Sequence, residues 1–319
     1  MSGLLSSDAK GVYVIAATPF TPEGAIDFDS IDRLVDFYAR CGVQGMTILG
    51  VLGEYQKLSE GETLDVARRF ISATKGRFPV IVGVSNPGTA QLVKTARAAM
   101  EMGAAGVMLM PIAGLKTDEA VRGYLSGVLK ALGPDIPVCI QDFPQLSGVF
   151  FSAGCFVDLV DAFPQIVMFK HEEYPGLRKL SAIRKACGGT ARRYVSILCG
   201  FGGIHLPQEY LRGADGAMTG FAFPDVLVGI DALMRAGKAD AAEDLYDAYL
   251  PVLRHELPPG IGLAIRKETL RRRGGMASAA LRAPGPLLDK DDLAELDRLL
   301  ARLERRTGRA ITEIVQTAV

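Results

Sequence analysis

Eight short apolar runs, each followed by a longer stretch of helical period, constrain this chain more than any other feature of its sequence. The runs are Val12–Thr18, Gly45–Leu49, Pro79–Ser85, Gly106–Met110, Pro137–Gln141, Ile166–Lys170, Val195–Cys199 and Gly216–Thr219. None alternates apolar with polar residues, which is how strands covered on both faces read in a parallel sheet. Between them, Ile31, Leu34, Val35 and Tyr38 share one helical face, with Asp29 or Ser30 as the expected cap. Leu92, Ala96, Ala99 and Met100 form another face, which Gly103 ends. Thr117-Asp118-Glu119 opens the fourth helix, and Leu177–Ala186 fills the sixth. Eight such units in about 225 residues match the size of a closed (β/α)8 TIM barrel. A doubly wound open sheet is the rival, disfavoured because no Gly-rich fingerprint follows the first run.

The alternation stops after a helix over Pro224–Met234. Three further helices are expected, over Ala239–Leu250, Ile261–Arg271 and Lys290–Arg302. The chain therefore divides into a barrel with the active site, 1–236, and a C-terminal helical extension, 237–319. The basic run RKETLRRRGG (266–275) reads as a solvated helix face and its terminus rather than a ligand site.

Composition excludes several classes of function. Acidic and basic residues balance at 36 each, so nothing advertises nucleic acid as a partner. Half the residues are apolar, enough for a large core without disulfide staples. The five cysteines, Cys41, Cys139, Cys155, Cys187 and Cys199, form no CxxC pair and read as reduced, buried thiols of a cytoplasmic protein. The opening MSGLLSSDAK lacks the charged and apolar regions of a signal peptide, and no uncharged apolar run is long enough to span a membrane. His171, His205 and His255 lack metal-ligand spacing, and GFGG (200–203) lacks the spacing of a nucleotide loop, so no metal and no cofactor are expected. His205, after Gly202-Gly203, could still touch a substrate.

In a barrel, chemistry sits at the C-terminal strand ends and the loops after them. The sixth run ends IVMFKHEE, and strand alternation gives Met168, Lys170 and Glu172 one direction, Phe169 and His171 the other. If Lys170 faces the axis, desolvation disfavours its charged form and frees the amine to attack a carbonyl. Glu172 then lies beside it as a proton carrier. On spacing alone, a structural ion pair at a strand end is the readier reading. The second run ends Gly50-Val51-Leu52-Gly53-Glu54, a turn whose backbone N–H groups can cradle a carboxylate. A plain tight turn fits it as well, with Glu54 capping the next helix.

Taken in order, ATPF (17–20), GVLGE (50–54), QDFP (141–144), the FK pair at Lys170 and GADGAMTG (213–220) make the chain similar to the dihydrodipicolinate synthase / N-acetylneuraminate lyase superfamily. The resemblance covers nearly the whole chain. It implies a Schiff-base lysine at Lys170, a 2-keto acid substrate and a homotetramer. It also exposes departures. The family's two turn threonines are Val51 and Leu52 here, and its strand-five tyrosine is Gln141. Its second shuttle tyrosine falls at Ile112-Ala113, and its substrate arginine at Leu146. KHEEYPGL (170–177) and Gly202-Gly203 resemble the branch that dehydrates L-2-keto-3-deoxyarabonate. The expected activity is thus a hydro-lyase acting on a 2-keto-3-deoxy sugar acid. Lys170 and Glu172 are its catalytic residues. Gly50, Val51, Leu52, Gln141, Ser196 and Gly202 are its substrate contacts. Two alternatives stand beside it: an aldolase releasing pyruvate, and a non-catalytic barrel that only binds a keto acid.

Overall fold

The computed structural model describes residues 3–317. Eight parallel strands close into a barrel in chain order: β1 (Gly11–Ile15), β2 (Gly45–Ile48), β3 (Val80–Gly83), β4 (Gly106–Leu109), β5 (Val138–Asp142), β6 (Ile166–His171), β7 (Ser196–Cys199) and β8 (Gly216–Ala217). The seam is the pairing of Gly11 with Gly216 and of Val12 with Ala217. All eight expected runs overlap a strand, and the fold is a (β/α)8 TIM barrel. The open-sheet rival is excluded.

Helices α1 (Phe28–Arg40), α2 (Glu60–Thr74), α3 (Thr89–Glu101), α4 (Asp118–Leu132), a short α5 (Pro144–Ser147), α6 (Ala153–Ala162), α7 (Leu177–Ala186), a short α8 (Leu206–Leu211) and α9 (Pro224–Arg235) connect the strands. The first helix is capped by Asp27, whose carboxylate accepts from Ser30 N at 2.9 Å, not by Asp29 or Ser30. The helix starts earlier than its apolar stripe, because Phe28 and Asp29 already belong to its first turn. Thr117 caps α4 as expected.

Strand alternation sorts the core into two shells. Tyr13, Ile15, Ile81, Met108, Cys139, Met168, Leu198 and Met218 fill the barrel interior. Val12, Val14, Met46, Ile48, Val80, Val82, Ile140, Phe169 and Ile197 face the helices. One irregularity decides the phase of β6. Val138 pairs with Ile166, but Cys139 pairs with Met168, so Val167 is an extra residue in β6. Ile166 packs outward, Val167 and Met168 both pack inward, and alternation then resumes.

The extension forms α10 (Ala239–His255), α11 (Ile261–Arg272) and α12 (Lys290–Thr307). Here the sequence reading of 266–275 is overturned. Arg266, Lys267, Glu268, Thr269, Leu270 and Arg273 are buried, and Lys267 is 0 % exposed. The charges are tolerated because each meets a partner. Lys267 Nζ lies 2.6 Å from Glu54 Oε1, Arg266 Nε 3.1 Å from Glu256 Oε2, and Arg273 Nη1 2.9 Å from Asp225 Oδ1. No helix among the described residues is long and apolar enough to cross a membrane.

Candidate active site

Because β6 resumes its alternation at Met168, Lys170 points into the barrel one layer above that methionine. It is 4 % exposed, and its Nζ lies 2.8 Å from Glu172 Oε1. Gln141, the cross-strand partner of Lys170, donates from Nε2 to the same Oε1 at 2.6 Å. The backbone N–H of Phe201 donates to Glu172 Oε2 at 2.9 Å. Lys170, Glu172 and Gln141, three of the residues expected at the site, are therefore in one contact group at the barrel mouth.

Two members of this group had no side-chain signal. The first is the Phe201 amide. The second is Gly200, where a built Cβ would stand 2.3 Å from Glu172 Cγ and 2.5 Å from Oε2. Only glycine leaves room for the carboxylate there. The GFGG run was the available sign, but its contact with Glu172 comes through Gly200 and Phe201. Gly202 instead adopts φ +71 in the 3-10 turn Phe201–Gly203, where a Cβ would strike Leu257. Thr47 points inward on β2 between the outward Met46 and Ile48, and its buried hydroxyl has no partner among the described residues.

Ser196 does not join the site. It opens β7, beside Met168, and its hydroxyl donates to Ala9 O at 2.7 Å. That is the floor of the barrel, a layer below Lys170. The residue matches in type but stands at the wrong end of its strand.

After β2 the chain makes a 3-10 turn over Val51–Gly53, with Gly53 N donating to Gly50 O. The first amides of such a turn, those of Val51 and Leu52, have no acceptor within it. Gly50 lies over the interior, where a Cβ would touch Ile15 and Met108, each at 3.6 Å. Thr18 Oγ1 donates to Gly53 O at 2.7 Å and holds the turn from β1. Glu54 precedes the 3-10 turn Tyr55–Lys57, but its side chain makes no capping hydrogen bond there and does not cap α2. Ser59 and Glu62 form the capping box of α2, and Glu54 takes the left-handed region at φ 53. Its buried carboxylate accepts from Lys267, from Lys57 Nζ at 2.8 Å and from Arg282 N at 3.1 Å.

Outside the barrel wall, Asp142 meets Lys179 Nζ at 2.6 Å, and burial raises its pKa to about 7. His171 also faces outward; burial, helped by Lys179, brings it down to about 4. His205 stacks on Tyr174, with centroids 5.3 Å apart, and Tyr174 stacks in turn on Phe201. These rings line the loops after β6 and β7.

Comparison with known proteins agrees with this architecture. Residues 8–303 match the Dihydrodipicolinate synthetase family. An L-2-keto-3-deoxyarabonate dehydratase of Azospirillum brasilense is 31% identical over 299 residues, covering 92% of this chain and 94% of its own. A putative 2-dehydro-3-deoxy-D-gluconate aldolase of Escherichia coli K12, YagE, is 26% identical and covers 92% and 97%. Among solved structures, a dihydrodipicolinate synthase from Rhodopseudomonas palustris superposes with a TM-score of 0.92 at 45% identity, covering 94% of this chain and all of that one.

Proposed function

Because the chain belongs to the Dihydrodipicolinate synthetase family and is a lyase, we propose that it dehydrates a 2-keto-3-deoxy sugar acid through a Schiff base on Lys170. The likeness to the A. brasilense dehydratase supports L-2-keto-3-deoxyarabonate as the substrate, and its dehydration gives 2-oxoglutarate semialdehyde. The observation that carries the reading is the pairing of Lys170 with Glu172 at 2.8 Å, with Gln141 where a shuttle tyrosine would stand.

The amine condenses with the C2 ketone and releases water. The resulting iminium acidifies the C3 hydrogens by acting as an electron sink. Glu172, already beside the nitrogen, accepts one C3 proton and returns it to the C4 hydroxyl as that group leaves as water; loss of a C5 proton, reprotonation at C3 and tautomerisation of the resulting C4–C5 enol then carry the unsaturated adduct to the semialdehyde. Hydrolysis then frees Lys170. Aldol cleavage would instead need a base on the C4 hydroxyl, the task the absent tyrosine performs. The Val51 and Leu52 amides hold the C1 carboxylate, and Gln141 orients Glu172. In this reading the protein is a cytoplasmic homotetramer, a state light scattering checks.

The test combines borohydride trapping with product analysis. Incubation with 2-keto-3-deoxypentonates and borohydride labels Lys170, and turnover yields the semialdehyde. Release of pyruvate would establish the aldolase instead. Absence of label and of turnover would leave the silent binding barrel. Glu172→Gln lowers kcat by roughly 10²–10⁴-fold while the adduct still forms.

A further inference from the structure

Behind the β5–β6 edge, on the side facing α7, lies a second buried charge cluster that the proposed chemistry does not use. Lys179 reaches from the start of α7 to Asp142 Oδ2 at 2.6 Å and to Glu173 Oε2 at 2.8 Å. Its ammonium sits 4.1 Å from the centroid of the Phe151 ring. Its side chain is 8 % exposed and that of Asp142 is 0 % exposed. Asp142 follows Gln141 and Glu173 follows Glu172. Asp142 and Glu173 both meet Lys179 outside the wall, while their neighbours Gln141 and Glu172 meet inside it.

The placement matters because β6 ends at His171. Beyond it, the backbone of Glu172 is tied by its N–H to Asp142 O at 3.0 Å, and the next tether is the side chain of Glu173. We infer that Lys179 is a positioning residue: through Asp142 and Glu173 it fixes the backbone on both sides of the Gln141–Glu172 contact and so holds Glu172 at reacting distance from Lys170. The ion pairs face away from the substrate, so Lys179 acts on the rate and not on ground-state binding. A displacement of about 1 Å at a reacting group can cost on the order of 10²-fold.

The inference rests on Glu172 being the proton carrier of the proposed reaction. Two variants test it. Lys179→Met with Asp142→Asn removes both buried charges and so avoids an unpaired carboxylate. Glu173→Ala cuts only the partly exposed tether and folds even if the double variant does not. We expect kcat to fall about tenfold or more in each, with KM within about twofold and borohydride labelling of Lys170 retained. Parental kcat in either folded variant, a loss confined to KM, or loss of the label overturns the inference. Glu172→Gln is measured alongside. If it keeps full rate, the assignment of Glu172 fails. If it is crippled while the Lys179 and Glu173 variants are not, only the positioning role fails.

Discussion

Replacing Lys267 with methionine tests how the extension and the barrel depend on each other. The methionine keeps the stem that packs in the interior but removes an ammonium 2.6 Å from Glu54 Oε1, 2.8 Å from Ala280 O and 4.6 Å from the centroid of the Phe20 ring. Burial lowers the pKa of this lysine and the Glu54 carboxylate opposes the shift. Breaking a buried pair on one side costs about 3–5 kcal/mol, since the other charge is left without compensation. Glu54 keeps Lys57 and the Arg282 amide, so the lower end, about 3 kcal/mol, applies here. For a chain of this size that is a fall in Tm of about 4–5 °C.

The second effect is functional. Glu54 closes the turn that carries the Val51 and Leu52 amides. Weakening one hydrogen bond to a charged carboxylate, about 1.5 kcal/mol, raises KM for the keto acid about tenfold. Calorimetry and steady-state kinetics on Lys267→Met, and on the same variant with Glu54→Gln, measure both effects. The double variant regains most of the Tm because no buried charge is left unpaired. A Tm within about 1 °C of the parent refutes the stability argument. An unchanged KM with a lowered Tm refutes the link to the cradle. A double variant no more stable than the single one shows that charge pairing is not the cause.

Three further outcomes follow from the same geometry. Gly200→Ala forces Glu172 aside, so kcat falls while borohydride still labels Lys170; parental turnover would remove Gly200 from the site. Ser196→Ala, at the barrel floor, leaves kcat and KM unchanged and costs about 1 kcal/mol in denaturant titration for one hydrogen bond. Glu209 is pushed up to about 8 by burial, from an ordinary value of 4.5. Its carboxyl is therefore protonated in the fold while the unfolded chain ionises, and stability drains away as pH rises from about 4.5 to about 8. Glu209→Gln, which does not titrate, gains in Tm over the parent across that window and levels off above it. A pH-independent difference in Tm would refute the assignment.

Much of the fold was legible because parallel strands buried on both faces must be apolar throughout. Alternation within a strand and the location of barrel chemistry brought Lys170 and Glu172 forward, and the family resemblance singled out Lys170 and added Gln141. Three things were not legible. Gly200 and the Phe201 amide act through a missing side chain and a backbone N–H, which leave no pattern of residue type. Ser196 lay within an expected run, but the run began one residue before the strand, and a polar residue at the floor looks the same in sequence as one at the mouth. The burial of Lys267 and Arg273 depends on Glu54 and Asp225, partners far away along the chain, so a basic run looked like a wet surface.

The direction in which Lys170 points was also a tertiary matter, and Val167 decides it. Were Val167 taken up in regular alternation instead of bulged, strict alternation from Ile166 would turn Lys170 toward the helices and Phe169 toward the axis. A single bulge thus selects which of two neighbouring side chains meets a ligand. Moving the phase of a strand by one residue can extinguish an activity, or expose a different group, while every reactive side chain remains in the chain.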